Sequence, residues 1–424
     1  MRHRTHPVAS TIRLVSLTCG LALAPAMGLA QTPAAQAEAA APQTAVLVLP
    51  QLPPLATAPS DPAGPTTEPQ AAQLPQPVTD IPAQSGLARM LGPTSVFATA
   101  DTYYEYNGNK PGTGNNVLRN FDEKDNQFSL SYLELAFEQK PTEARRLGFR
   151  ADVGFGPTAT WIGSTDPDEG SLKYLQQGYV SYLAPVGKGV QVDVGKFVTP
   201  VGAELIESAP NWNYSRSLLF AWAAPYYHMG LRVGVPVHDK VTVTGFLVNG
   251  WNNSFENNRG KTLGVQVAFA PHERFSISQA WMGGPEQPNG TPAWRQLFDT
   301  VATWHVHPRV SLMGNVDIGR DEIAGQRVAW HGVAGYARVK LRDSWHLTPR
   351  IEWFEDAQGF ATGTAQTLRE ITLSSDHALV GGLSARIEYR RDWSNQEFFA
   401  YRSDQFRRQQ HTVLFGFIYA MQSQ

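Results

Sequence analysis

The chain has 424 residues, with 35 basic and 37 acidic side chains, a formal charge of −2 and one cysteine. That balance excludes a nucleic-acid binder, which needs a strongly basic domain. One cysteine can form neither a disulfide framework nor a thiolate metal site, and no stretch beyond residue 30 is apolar for long enough to be a helical membrane span.

Residues 1–30 read as a secretory signal peptide. Arg2, Arg4 and Arg13 make a basic start, residues 14–24 are apolar, and Gly28 and Ala30 fit cleavage after Ala30. The apolar part is shorter than the ~20 residues a transmembrane helix needs. Cys19 would leave with this segment, and its surroundings lack a lipoprotein cleavage pattern. Cleavage removes three basic and no acidic side chains, moving the formal charge from −2 to −5. Residues 31–92 follow as a Pro/Ala-rich leader without a single aromatic side chain. Such a composition buries too little apolar surface to offset its ordering entropy, so a disordered periplasmic segment is expected. Cell-wall contact through residues 31–92 is one further reading; plain disorder is the other.

From residue 93 to 424 the sequence alternates with period two. Leu383, Ala385, Ile387 and Tyr389 oppose Ser384, Arg386, Glu388 and Arg390; Leu147, Phe149, Ala151, Val153 and Phe155 oppose Gly148, Arg150, Asp152 and Gly154. Sixteen such segments are expected to start near residues 95, 125, 145, 172, 189, 229, 240, 261, 274, 293, 309, 328, 345, 366, 381 and 410. Tight connections (271–273, 307–309, 342–344) take turns with long polar ones (107–122, 158–170, 199–227, 395–408). This sorting predicts an all-β fold: a transmembrane antiparallel β-barrel of about 16 strands, with long extracellular loops and short periplasmic turns. The charged alternate set must then face the lumen, because Arg or Lys on the lipid face near the midplane costs about 2–4 kcal/mol. Trp251, Trp281, Trp294, Trp330, Trp353 and Trp393 fall near outer strand ends, and Trp304 and Trp345 near inner ends. They are expected to form two interfacial girdles.

The connection after the fifth predicted strand is the longest. Leu218, Leu219, Phe220 and Trp222 make it too apolar to float in water. It is expected to fold into the lumen and narrow it; folding outward over the rim or onto a neighbouring subunit is the alternative. Around it, Gly195-Lys196-Phe197, Gly202-Ala203-Glu204, Asn213-Tyr214-Ser215-Arg216-Ser217, Pro225, His228-Met229-Gly230 and Val248-Asn249-Gly250-Trp251 resemble the OmpL-like beta-barrel porin-2 family of outer-membrane porins. The resemblance spans roughly residues 95–424. It implies a Gram-negative outer-membrane barrel and a passive channel, but no particular solute. In 16-stranded general-diffusion porins the loop after strand five folds into the pore, and the resemblance implies the same for residues 199–228. The chain departs from the usual pattern by ending in Gln-Ser-Gln rather than in a terminal aromatic. Phe415, Phe417 and Tyr419 could supply that assembly signal.

Candidate constriction and lumen residues are Glu204, Glu207 and Arg216 on the loop, and Arg338, Lys340, Arg350, Arg386 and Arg390 on the wall. Opposed rows of charge sort ions, so a transverse field between Glu204/Glu207 and this basic wall is one expectation. Glu352 and Glu388 dilute it, and local salt bridges among solvated lumen residues are the other reading. His305 and His307 form an i, i+2 pair without a third ligand, which fits an interfacial role better than a metal site. Asp166, Asp168 and Glu169 could hold calcium, but a solvated acidic loop is the better reading. No cofactor, metal or catalytic constellation is expected. The expected function is passive diffusion of small hydrophilic solutes or ions, with outer-membrane lipid as a partner, no nucleic acid, and a homotrimer left open. A barrel with a structural, adhesive or hydrolytic role is the alternative.

Overall fold

The computed structural model describes residues 94–166, 172–287 and 293–423; the expected signal peptide (1–30), the expected leader (31–92), Asp168 and Glu169 lie outside the described residues. In chain order the elements are β1 (Ser95–Asn107), β2 (Gln127–Gln139), β3 (Leu147–Phe155), α1 (Pro157–Ser164), β4 (Leu175–Ala184), β5 (Val190–Val198), β6 (Tyr227–His238), β7 (Val241–Val248), β8 (Thr262–His272), β9 (Phe275–Gly284), β10 (Arg295–His307), β11 (Val310–Ile323), β12 (Gln326–Arg342), β13 (Trp345–Asp356), β14 (Gln366–Ala378), β15 (Leu383–Ser394), the short hairpin β16 (Phe399–Tyr401) and β17 (Gln405–Arg407), and β18 (Gln409–Gln422). Strands β1–β15 and β18 pair antiparallel with their neighbours, and β1 pairs with β18 to close a 16-stranded barrel. Every barrel strand starts within about three residues of its expected position.

The period-two pattern sorts as the physics requires. On β14, Glu370, Thr372 and Ser374 are buried inside while Ile371 and Leu373 face out, both more than 40% exposed. Arg386 is enclosed at 2% exposure while Val316 stands outside at 41%. On β18 the outward set includes Phe415, Phe417 and Tyr419, all exposed. Strand β2 carries apolar residues on both faces for a local reason. A β-bulge opposite Asp101/Thr102 buries Ser131 and Tyr132 together. Inward Tyr132 then packs in one cluster with Ala159 and Ile162 of α1.

Two expectations need correction. The β11–β12 connection is a tight turn on the long-loop side, with Ala324 at φ 51° and Gly325 at φ 79°. Positive φ at both central residues suits a two-residue hairpin. Trp330 and Trp251 do not join an interfacial girdle. Trp330 is 1% exposed and lies edge-on to Trp251, 6.0 Å away, in a cluster inside the barrel mouth. Trp294 and Trp304 do face outward, at 43% and 53% exposure.

Candidate constriction site

Residues 199–226 leave β5 and cross the lumen. Their neck is closed where Thr199 N donates to Tyr226 O (3.0 Å). Between Asn211 and Ala223 only Trp212 and Trp222 escape full burial. An irregular segment inside a barrel has no ladder partner, so its backbone groups need other acceptors and donors. The wall supplies them as charged side chains. Glu388 on β15 accepts from Tyr214 N (2.7 Å) and Ser215 N (3.0 Å). Glu352 on β13 accepts from Leu218 N and Leu219 N (3.0 and 3.3 Å). Arg386 donates to Ser208 O, Asn213 O and Ala209 O (2.8, 3.0 and 3.2 Å). Arg350 donates to Ser215 O (2.7 Å) and Arg390 to Arg216 O (2.6 Å).

Side chains lock the same seat. Glu204 meets Arg350 at 2.9 Å and takes the Ser217 N–H at 2.6 Å. Arg350 is also 2.9 Å from Glu370 and 3.4 Å from Glu352. Arg216 turns back on its own loop, donating to the Leu205, Tyr214 and Ile206 carbonyls beneath the Phe121 ring. The Tyr214 and Ser208 hydroxyls both bond Asp101 on β1. At the outer end Trp330 Nε1 donates to Ala223 O (3.0 Å), and Asn120 Nδ2 reaches Ala221 O and the Tyr226 hydroxyl (3.1 Å each). Burial pushes that hydroxyl up to about 12, so it remains a neutral donor and acceptor. The first extracellular loop is drawn in as well. Buried Arg119 pairs with Glu105 and Asp122, both at 3.1 Å.

The expected site residues therefore share the lumen but not one role. Glu204, Arg216, Arg350, Arg386 and Arg390 are all at most 4% exposed and act as clamps. A transverse field between Glu204 and Arg350 is not what the geometry provides, because the two groups touch. Arg338 is half-buried against Asp376 (3.3 Å), and Lys340 pairs with Asp343 at the turn-side rim (2.8 Å). Both acidic residues reach the same cavity, but Glu204 is buried whereas Glu207 is half-buried. That cavity, of about 400 Å³, is also bordered by Glu134, Arg150, Tyr179, Phe220 and Tyr226. A second cavity, of about 450 Å³, shares Val198, Thr199 and Arg232 with the first. In this vestibule Arg150 and Arg232 are held by Asp152 and Asp193, each at 2.8 Å. Glu352 and Glu388, expected only to dilute the basic wall, are loop receptors. Sequence reading missed Glu370 and Asp101, although their inward parity was readable, and Arg119, which lies on a loop where no parity applies. Asp166 accepts from the Tyr227 hydroxyl (2.7 Å) and Ser254 N (3.1 Å), and His305 Nδ1 bonds Ser311 Oγ (2.7 Å).

Residues 93–421 match the family described as "Putative beta-barrel porin-2, OmpL-like". The chain belongs to this porin family. Solved outer-membrane proteins share its fold. An anion-selective porin from Comamonas acidovorans aligns at TM-score 0.53 and 13% identity, covering 77% of this chain and 99% of that one. Salmonella typhi OmpF, solved as a complex with daunomycin, aligns at 0.53 and 12%, covering 77% and 97%. The trimer form of Vibrio cholerae OmpT aligns at 0.52 and 9%, covering 77% and 99%. No curated protein matches the chain. Family and fold together make this an outer-membrane porin of the bacterial envelope.

Proposed function

We infer that this porin passes small hydrophilic solutes or ions by passive diffusion, without catalysis, through a lumen narrowed by residues 199–228. A barrel of 16 strands is wide enough for an aqueous channel. The observation that carries the reading is the seated loop beside a polar vestibule along β2–β6, with Glu134, Glu207, Arg150 and Arg232 at its wall. Glu204, Arg216, Arg350, Arg386 and Arg390 set the bore by holding the loop, while Glu207, with Arg338 and Lys340 nearer the turn side, meets the solute. The location is the outer membrane of a Gram-negative cell, reached through cleavage of residues 1–30, with a homotrimer as the assembly. Planar-bilayer recording of the full-length protein tests this. Stable ohmic steps are expected, larger when residues 203–222 are replaced by a short Gly-Ser linker. Silence from both proteins, with the barrel folded, overturns the reading.

A further inference from the structure

Four arginines face away from the lumen at the long-loop ends of neighbouring strands. Arg320 on β11 and Arg369 on β14 follow the outward parity of Ile318 and Ile371; Arg327 on β12 and Arg391 on β15 follow that of Val333 and Ile387. All four are exposed. Among the described residues none of the four is ion-paired to a carboxylate. Arg320 and Arg391 instead donate to neutral amides, those of Gln296 and Gln409.

The surroundings of the inner two define their depth. Arg369 stands in register between Trp353 on β13 and Trp393 on β15, so it lies at the level of the outward tryptophans. Arg391 sits one inward–outward repeat deeper on β15, with its guanidinium 5.9 Å from the Trp393 ring. Its outward register partners are Ile371 and His411, and no carboxylate is in register with either arginine. The acidic groups on this face lie to the side. Glu355 is taken by His331 (3.4 Å), and Glu322 stands opposite Arg327. An unneutralised guanidinium on the lipid face is unfavourable unless the membrane supplies its partner. Guanidinium is also the donor best matched to phosphate oxygens.

We propose that Arg369 and Arg391, flanked by Trp353 and Trp393, form a binding site for the phosphate of a phosphorylated glycolipid in the outer leaflet, extended along the rim by Arg320 and Arg327. The tryptophans rest on the sugar and upper acyl region while the two guanidiniums take the phosphate.

Native mass spectrometry of the full-length protein in a non-ionic detergent, titrated with lipid A, reads the bound lipid directly. Removing two surface guanidiniums with R369Q/R391Q is expected to weaken binding roughly thirty-fold. R369K/R391K is expected to retain most of it. Dephosphorylated lipid A should bind like the double glutamine variant, and millimolar inorganic phosphate should not displace lipid A. Bilayer conductance of R369Q/R391Q should match wild type, which separates this site from the channel reading. Equal lipid A binding by wild type and R369Q/R391Q overturns the proposal. So does undiminished binding of the dephosphorylated lipid, which would show acyl contact only, or full displacement by free phosphate, which would show a simple anion site. Should R369Q/R391Q fail to fold, R369Q and R391Q singly, each expected to lose about five-fold, carry the same test.

Discussion

Replacing Arg350 with alanine should release the constriction loop while leaving the barrel closed. Arg350 is wholly buried and stands within ion-pair distance of Glu204 (2.9 Å), Glu370 (2.9 Å) and Glu352 (3.4 Å), while donating to Ser215 O (2.7 Å). Its loss strands three carboxylates and one carbonyl in a dry seat. Removing one partner of a buried ion pair costs about 3–5 kcal/mol. The loop can avoid that cost by leaving, because Glu204 and Ser215 then regain water. A shift of 3–5 kcal/mol changes the seated-to-released ratio by roughly a hundred- to several-thousand-fold. The barrel ladder makes no use of the guanidinium, so strand pairing should persist. Single-channel conductance should rise, and residues 203–222 should become cleavable by added protease in the folded, heat-resistant barrel. Coupling identifies the cause: in a double-mutant cycle, Glu204→Gln should cost much less on an Arg350→Ala background than alone. Unchanged conductance together with unchanged protease resistance in Arg350→Ala would refute the clamp.

Other perturbations address separate parts of the seat. A Cβ at Gly416 would lie 2.6 Å from the Tyr214 ring, so Gly416→Ala should lift the loop and raise conductance; an unaltered single-channel trace would argue that the ring can give way. Glu388→Ala strands the Tyr214 and Ser215 N–H groups, at about 1–3 kcal/mol each. It should add flickering open events, and Glu388→Gln, which keeps one acceptor, should add fewer. Glu207→Lys reverses a charge at the open cavity, so its reversal potential in a salt gradient should move toward anions, whereas Lys340→Gln at the rim should move it less. Trp330→Ala removes the ring stacked on Phe360 at 4.7 Å and the bond to Ala223 O, and should raise amide exchange in residues 219–223 without affecting that of β12.

The strands were legible because one period-two rule governs the barrel wall outside its bulges, and a slip of one position would send Arg386 into lipid. The loop's destination was legible from composition, since Leu218, Leu219 and Phe220 required cover. What the arginines do was not legible. Parity assigns Arg350 and Arg390 to the lumen but says nothing of what fills the lumen, and water and a folded loop make opposite uses of the same guanidinium. Trp330 is a different case. It shares the even-numbered parity of Tyr336, Arg338 and Lys340 on β12, which already pointed inward. Its nearness to a strand end outweighed that signal, and the interfacial assignment was wrong for a reason present in the sequence.

The order of charges along β15 distinguishes the two uses of a lumen wall. Its inward positions read Arg386, Glu388, Arg390 and Asp392, alternating in sign at every step. Successive inward residues on a strand are about 6.8 Å apart, less than a Debye length of about 8 Å at physiological salt. Seen from water, such a column largely cancels and steers ions weakly. Seen from a backbone lying against it, the same column is matched to need: carboxylates take the N–H groups of Tyr214 and Ser215, and guanidiniums take the carbonyls of Asn213 and Arg216. A backbone presents donors and acceptors in alternation, so the wall that receives it must alternate too. Sign alternation at consecutive inward positions is therefore the mark of a seated segment, and the charges that do not hold the loop border the cavity: Glu134, Glu207, Arg150 and Arg232.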